Sequence, residues 1–359
     1  MPTLFAILAL SSLVAPTQAP SGPMDPWDGA ALESTLPAPT RLRSPTGHDG
    51  IWSVTLENDL FAGVDTNYSS GFAISFTGGE ASRHDPKSFY HRILESSTWL
   101  PGIGGEGSEN FVGFSLGQTM FTPEDITLAN PPADDRPYAG FLFFNTSLFS
   151  LRPHSLDAWT LQLGMVGPSS LGEQSQKSIH SLIGSDEPQG WDQQLKDEFI
   201  VNVHYEHSHR RWNGKLSRSL DVELIPKFGG GLGNFATYAN VGVMGRIGSN
   251  MPPTFSGNSL TAGLSSNAPA LVPDPSRWGW SLFAGAQGYW VGRYLPLDGN
   301  TFSDGPSVDT NDLLSSLTAG LSLGCSTFVS TLSFTAFSEV YENQPERSEF
   351  GALSVSWSR

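Results

Sequence analysis

The sequence predicts an all-β chain: a transmembrane antiparallel β-barrel of about twelve strands, with one short loop helix near residues 171–183. Three observations predict it. Segments of about ten residues with period-two alternation recur along the chain, which is the weak sequence signature of a membrane barrel. Charged residues are 15% of the 359, while glycine numbers 39, phenylalanine 22 and tryptophan 10. Ordinary soluble domains carry ~25% charged residues. No apolar run reaches the ~18 residues of a membrane helix, so an exported membrane protein of this composition must cross with strands.

The elements follow in order. The apolar run "LFAILALSSLVA", residues 4–15, is too short to span as a helix and reads as an export signal. Thr17-Gln18-Ala19 resembles a cleavage site, and residues 1–19 are assigned to the signal peptide. Residues 20–48, rich in Pro, Ser, Thr and Gly, read as a flexible leader. The barrel domain is expected over 49–359.

Strands are expected near 51–57, 68–77, 110–118, 140–149, 159–166, 199–207, 219–228, 235–247, 278–290, 314–325, 331–340 and 349–357. Near 331–340, Leu332, Phe334 and Ala336 alternate with Ser333, Thr335 and Phe337. The final strand sets Leu353, Val355 and Trp357 against serines. Closure of an even number of strands removes the unpaired edges that an open sheet would expose. A soluble β-sandwich or lipocalin-like barrel would also alternate. Longer connections, near 78–109, 120–137, 168–197, 249–277 and 292–312, belong on the outer side of a barrel, with short turns on the periplasmic side.

One segment has a different period. In "PSSLGEQSQKSIHSLIGS", Leu171, Ser175, Ile179, Leu182 and Ile183 follow helical spacing. Ser170 and Glu173 fit a capping box, and Gly184 fits the stop. This helix is expected on one rim of the barrel.

The net charge of −16 argues against a nucleic-acid partner, which requires a basic patch. A single cysteine, Cys325, excludes an intrachain disulfide and the cysteine-based metal spacings.

Polar groups concentrate in "LENDLFAGVDTNYSSGFAISF", Leu56 to Phe76. Asp59 can ligate a hard cation through oxygen, and Asn58 can add a carbonyl or a hydrogen bond. Both are expected to line the barrel interior near one rim, with Ser69 facing them across the hairpin. A polar barrel interior would use the same oxygens without any chemistry. His180, in the last turn of the expected helix, and Asp186, past Gly184, form the minimal general-base pair. A histidine at a helix end also suits the helix dipole as a surface residue. His207 and His209 share a strand face, but no third metal ligand accompanies them.

"ENDLFAGVDTNYSSG", "DRPYAGFLF", "VGPSSLGEQSQKSIHSLIG" and "QGWDQQLKDE" follow one another in order over roughly residues 51–210. Together they resemble the outer-membrane lipid A 3′-O-deacylase family, the LpxR group. The resemblance implies an Asn-Asp pair at Asn58 and Asp59, a hydroxyl residue at Ser69, a histidine at His180 and an acidic residue at Asp186. The family more often has Thr at the position of Ser69, and it can have Glu at that of Asp186. The resemblance also implies Ca²⁺ as cofactor, lipid A or lipopolysaccharide as substrate, outer-membrane lipids as surroundings and a monomer in the outer membrane of a Gram-negative bacterium.

The expected reaction is hydrolysis of an acyl ester of lipid A, a 3′-O-linked acyloxyacyl chain. His180 activates water and Ca²⁺ on Asp59 stabilises the oxyanion. In a second version Ser69 is the nucleophile. Arg136, Lys177 and Lys196 are candidates for the lipid A phosphates. The competing classes are a non-catalytic porin or structural barrel, and an exported soluble lipid-binding β protein.

Overall fold

The computed structural model describes residues 50–59, 70–78, 81, 86–217, 219–252, 276–325, 327–342, 344–345 and 347–358. The assigned signal peptide, the leader and Ser69 lie outside the described residues. The strands are β1 (Gly50–Asn58), β2 (Ser70–Gly78), β3 (Glu109–Phe121), β4 (Ala139–Leu151), β5 (Ser155–Val166) and β6 (Glu198–His209). They continue with β7 (Trp212–Ser217), β8 (Leu220–Gly233), β9 (Ala236–Ser249), β10 (Gly279–Tyr294), β11 (Leu313–Cys325), β12 (Phe328–Phe337) and β13 (Glu349–Ser358). Neighbours pair antiparallel, β1 pairs with β13, and β6 pairs with β8. The sheet is therefore closed.

The barrel has twelve staves, because β6 and β7 are one stave with a break. β8 pairs with β6 from Gly233 to Lys227 and with β7 from Leu224 to Leu220. At the break the Arg210 amide donates to the His154 carbonyl (2.6 Å) and the Arg211 amide to the Leu224 carbonyl (2.9 Å). The stretch Trp212–Ser217 was not among the expected strands.

Alternation sets the two faces. On β1, Ser53, Thr55 and Glu57 are buried inside, while Trp52 and Leu56 are exposed outside. On β12, Leu332 and Phe334 face outward, and Ser333, Thr335 and Phe337 inward, as the sequence pattern requires. Small hydroxyls bridge adjacent staves inside: Ser53 Oγ to Ser356 Oγ (2.7 Å), Ser147 Oγ to Thr160 Oγ1 (2.8 Å) and Thr318 Oγ1 to Thr335 Oγ1 (3.0 Å).

The lumen is filled. Its upper end holds Phe121, Phe141, Phe143, Phe235, Tyr289 and Phe337, with Leu295 and Leu297 of α3 (Leu295–Asp298) tucked into the mouth. Its lower end holds Phe111, Phe149, Leu151, Leu156, Ile225 and Met244. Beside these, Glu223 forms an ion pair with Arg210 (Nε to Oε1, 3.0 Å) and accepts from Arg246 Nη2 (2.7 Å), and all three side chains are buried. A buried carboxylate between two guanidiniums is tolerable only because each charge is paired and hydrogen-bonded.

Chain direction assigns the connections to rims. Of the described residues, Asp59, 122–138, 167–197, 295–312, 338–342, 344–345 and 347–348, with the tight turn 234–235, lie at the end where β1 finishes, here called the upper rim. The described residues of the connections after β2 and β9, namely 81, 86–108, 250–252 and 276–278, lie toward the lower rim, with Gly50 and Ser358. Two of the five long connections are thus on the opposite side from that expected. Strand parity decides the rim, whatever the length of the loop. Long loops still predominate at the upper rim, which is the outward pattern of membrane barrels.

Two helices lie on the outside of the wall. The nine-residue α1 (Phe89–Ser97) belongs to the lower connection 79–108 and was not expected. Ser88 caps it by accepting from the His91 amide (3.2 Å). Leu94 packs with Val112 of β3 and Leu148 of β4, both outward-facing and buried. The second, α2 (Gly172–Ile183), is the predicted one. Among the described residues no helix is long and apolar enough to cross a membrane.

Candidate functional site

The expected site residues gather at the upper rim. Asn58 closes β1, and Asp59 follows it at 1% exposure. Asn58 does not line the interior as expected. It shares the outward register with Trp52, Val54 and Leu56, while Glu57 takes the inward one. The pairing carries this outward row across the wall: Asn58 opposite Ser70, Ser70 opposite Met120, and Met120 opposite Gly140.

α2 lies against that row. A Cβ on Gly140 would come within 3.0 Å of the Gly172 Cα, so the glycine pair permits close approach of helix and wall. Gln118, outward on β3, donates to the Ser170 carbonyl (2.5 Å). Trp191 Nε1 donates to Gln176 Oε1 (2.7 Å), with both side chains buried, and Trp191 packs on Tyr138 and Met120. The Tyr138 hydroxyl donates to the Ile126 carbonyl (3.2 Å), and burial raises its pKa to about 12. The turn Pro168–Ser170 touches β4 and β5, whereas α2 touches β4 and β3, so the chain advances along the wall toward β1.

The helix start differs from the capping box. Leu171 is the N-cap, with φ +62°, and no side chain caps it. Ser170 sits in the preceding 3₁₀ turn and donates instead to the Gly167 carbonyl (2.6 Å). Glu173 pairs with Lys177 (2.9 Å), a hydrogen bond that raises the lysine pKa. Gly184 ends the helix at φ +75°, a left-handed conformation that favours glycine.

That ending turns the chain back onto His180. Its Nδ1 lies 2.6 Å from the main-chain oxygen of Asp186. The two residues meet as expected, but through the carbonyl; the Asp186 carboxylate stays exposed. A carbonyl only accepts, so Nδ1 is the donor in this contact, and in the neutral ring Nε2 carries the lone pair. Around His180, Ile179, Leu182 and Ile183 are exposed apolar side chains, Leu182 at 86%.

The candidate cations behave differently from one another. Arg136 is buried under Tyr341, its guanidinium 5.7 Å from the ring centroid, and burial lowers its pKa. Tyr341 donates to Asp135 Oδ1 (3.0 Å), which also accepts from the Arg136 amide (2.7 Å). Arg136 thus belongs to the packing of the mouth, away from a surface phosphate. Lys196 is exposed at the upper rim, and Lys177 is half-buried. His207 and His209 stack outward on β6, with His207 bonded to Asp157 (2.8 Å). Among the described residues no three His, Cys, Asp or Glu side chains gather as a metal cage.

The Gln176–Trp191 bond and the Gly140–Gly172 approach were not anticipated. The first joins residues 15 apart and the second a strand to a helix, and neither leaves a periodic trace.

A family model described as outer membrane protein LpxR matches residues 6–359. LpxR from Salmonella typhimurium aligns with a TM-score of 0.69 at 17% sequence identity, over 86% of this chain and 99% of that one. The β domain of the Bordetella autotransporter Brka gives a TM-score of 0.39 at 10% identity, over 86% of this chain and 98% of that chain. The translocator domain of autotransporter NalP from Neisseria meningitidis gives 0.34 at 8%, over 88% and 93%. The first likeness shows a shared fold; the other two carry no argument. No curated protein matches the chain at a significant level.

Proposed function

Because the chain belongs to the LpxR family of outer membrane proteins, we propose that it hydrolyses an acyl ester of lipid A at the outer wall of its barrel. One observation carries the reading. The helix bearing His180 packs on the lipid-facing side of the wall, in the same transverse row as Asn58. Three strand spacings of ~4.8 Å separate Gly140 from Asn58, about 14 Å. His180 lies eight residues past Gly172, about 12 Å along a helix. The matching lengths support a meeting of the histidine with the Asn58–Asp59 end of β1. Lipid A occupies the outer leaflet, on the side of the long loops.

His180 acts as general base through Nε2, its Nδ1 proton held by the Asp186 carbonyl. Nε2 takes a proton from water as the water oxygen bonds to the ester carbonyl carbon. The C–O bond to the sugar then breaks, and the imidazolium returns the proton to the leaving alcohol oxygen. The donor set at the end of β1 is oxygen only, with Glu57 and Asp59 withdrawn from water. That chemistry fits a hard cation such as Ca²⁺, held by Asp59 with Asn58 beside it. A cation held there would supply polarisation of the ester carbonyl and compensation of the oxyanion charge. Lys196, and Lys177 beside its partner Glu173, are candidates to meet lipid A phosphates.

The filled lumen speaks against a porin. The test is mass spectrometry of lipid A from cells with and without the protein, and with His180→Ala. Loss of one ester-linked chain only with the wild-type protein is expected. Unchanged lipid A, or a stepwise conductance in planar bilayers, would overturn the reading.

A further inference from the structure

On the outer wall, α1 and α2 bound a strip of β3 and β4. Below the row of Met120 and Gly140, the strip carries Leu142, Leu116, Phe144 and Phe114 on the outward face. Leu116 and Phe144 are exposed. Phe114 stacks on Phe144, with centroids 6.1 Å apart and planes at 16°, and on Phe89 of α1, at 5.9 Å and 22°. The next outward pair, Val112 and Leu148, is already covered by α1. The strip therefore ends at Phe89.

Its open length covers most of one leaflet. From Gln118, opposite Leu142, to Phe114 is four residues, about 13 Å at ~3.3 Å per residue. A strand tilted by ~40° covers about 10 Å of that along the membrane normal. Half of a ~30 Å hydrocarbon core is about 15 Å.

We propose that this strip is an acyl-chain track. A hydrocarbon chain of the lipid whose ester lies beside α2 runs down it, and the chain's methyl end abuts Phe89. Phe89 then sets the length of chain accepted. The inference rests on the lipid A deacylase reading and adds to it the determinant of chain length. An acyl chain is the occupant because the strip is continuous with the lipid-facing band and carries no charged side chain. Its upper end opens beside the exposed apolar residues around His180.

The test uses the full-length protein in phospholipid vesicles with a set of lipid A species differing in acyl chain length. Phe89→Ala should raise the ratio of long-chain to short-chain hydrolysis about threefold or more, the order set by burial of one or two methylenes. Leu116→Trp, which fills the middle of the strip, should shift the ratio the other way. Phe89→Leu should fall between wild type and Phe89→Ala, and it keeps the test open should the alanine variant fail to fold. Ser96→Ala, on the exposed side of α1, should leave the profile as in wild type. An active enzyme whose chain-length profile is the same in wild type, Phe89→Leu and Leu116→Trp overturns the track alone. A wild-type protein that cleaves none of the species overturns the deacylase reading, and the track with it.

Discussion

Gly140→Ala is the sharpest test of the helix-on-wall arrangement. The added Cβ would overlap Ser170 Oγ and come within 3.0 Å of the Gly172 Cα and 3.2 Å of its nitrogen. Neither neighbour yields easily. Ser170 Oγ is bonded to the Gly167 carbonyl at 2.6 Å, and the Ser170 carbonyl accepts from Gln118 at 2.5 Å. The first turn of α2 must therefore retreat from β4 by about 1 Å. Overpacking of this kind costs roughly 1–3 kcal/mol, which the closed barrel can absorb. A catalytic group displaced by ~1 Å loses about 10²-fold in rate. The expected result is a correctly assembled barrel with about a hundredth of the activity. Assembly is read as heat-modifiable migration on gels, and activity as lipid A ester loss by mass spectrometry. Ser170→Gly in the same chain removes the overlapping oxygen and should recover part of the loss. Activity of Gly140→Ala within threefold of wild type would refute the claim that helix-to-wall distance positions His180.

Three further outcomes follow from the site. Asp186→Ala should keep most of its activity, within about threefold, because the contact to His180 runs through the main chain; a loss as large as that of His180→Ala, in the same mass-spectrometric assay, would show that the carboxylate is needed. Excess chelator should abolish ester hydrolysis and added Ca²⁺ restore it, while Asp59→Ala stays inactive at millimolar Ca²⁺; full activity in chelator would remove the cation from the mechanism. Ser69→Ala should retain measurable hydrolysis where His180→Ala retains almost none, whereas an acyl group found covalently on Ser69 in the intact-protein mass would replace water by serine as nucleophile.

The barrel was legible because a lipid exterior and a hydroxyl-rich interior imprint period two on each strand. Leu332, Phe334 and their serine and threonine partners are an example. Trp212–Ser217 escaped notice because it is short and follows the break at Arg210 and Arg211, where alternation lapses. The α1 helix is nine residues inside a long connection, too short for its period to stand out. Asn58 is the more instructive case. Its parity with Trp52, Val54 and Leu56 was readable, and it points outward. The expectation that polar groups belong inside a barrel fails at Asn58, which the strand register places on the outward face. His180 and Asp186 are readable as a pair from the helix end and the Gly184 stop, and the family resemblance implies the same two residues. That they meet through a main-chain carbonyl depends on the conformation of the turn after Gly184, which leaves no mark on side-chain types.

The packed lumen has a consequence for the cell that hosts this barrel. An outer membrane excludes bile salts, dyes and many antibiotics only as long as its barrels do not leak. Among the described residues, phenylalanines lie across both ends of the stave ring and a paired Arg210–Glu223–Arg246 cluster fills the lumen beneath. Cells overproducing the protein should show unchanged uptake of small hydrophilic dyes. Cells carrying a lumen emptied by Phe141→Ala and Phe149→Ala should become permeable at the same expression level.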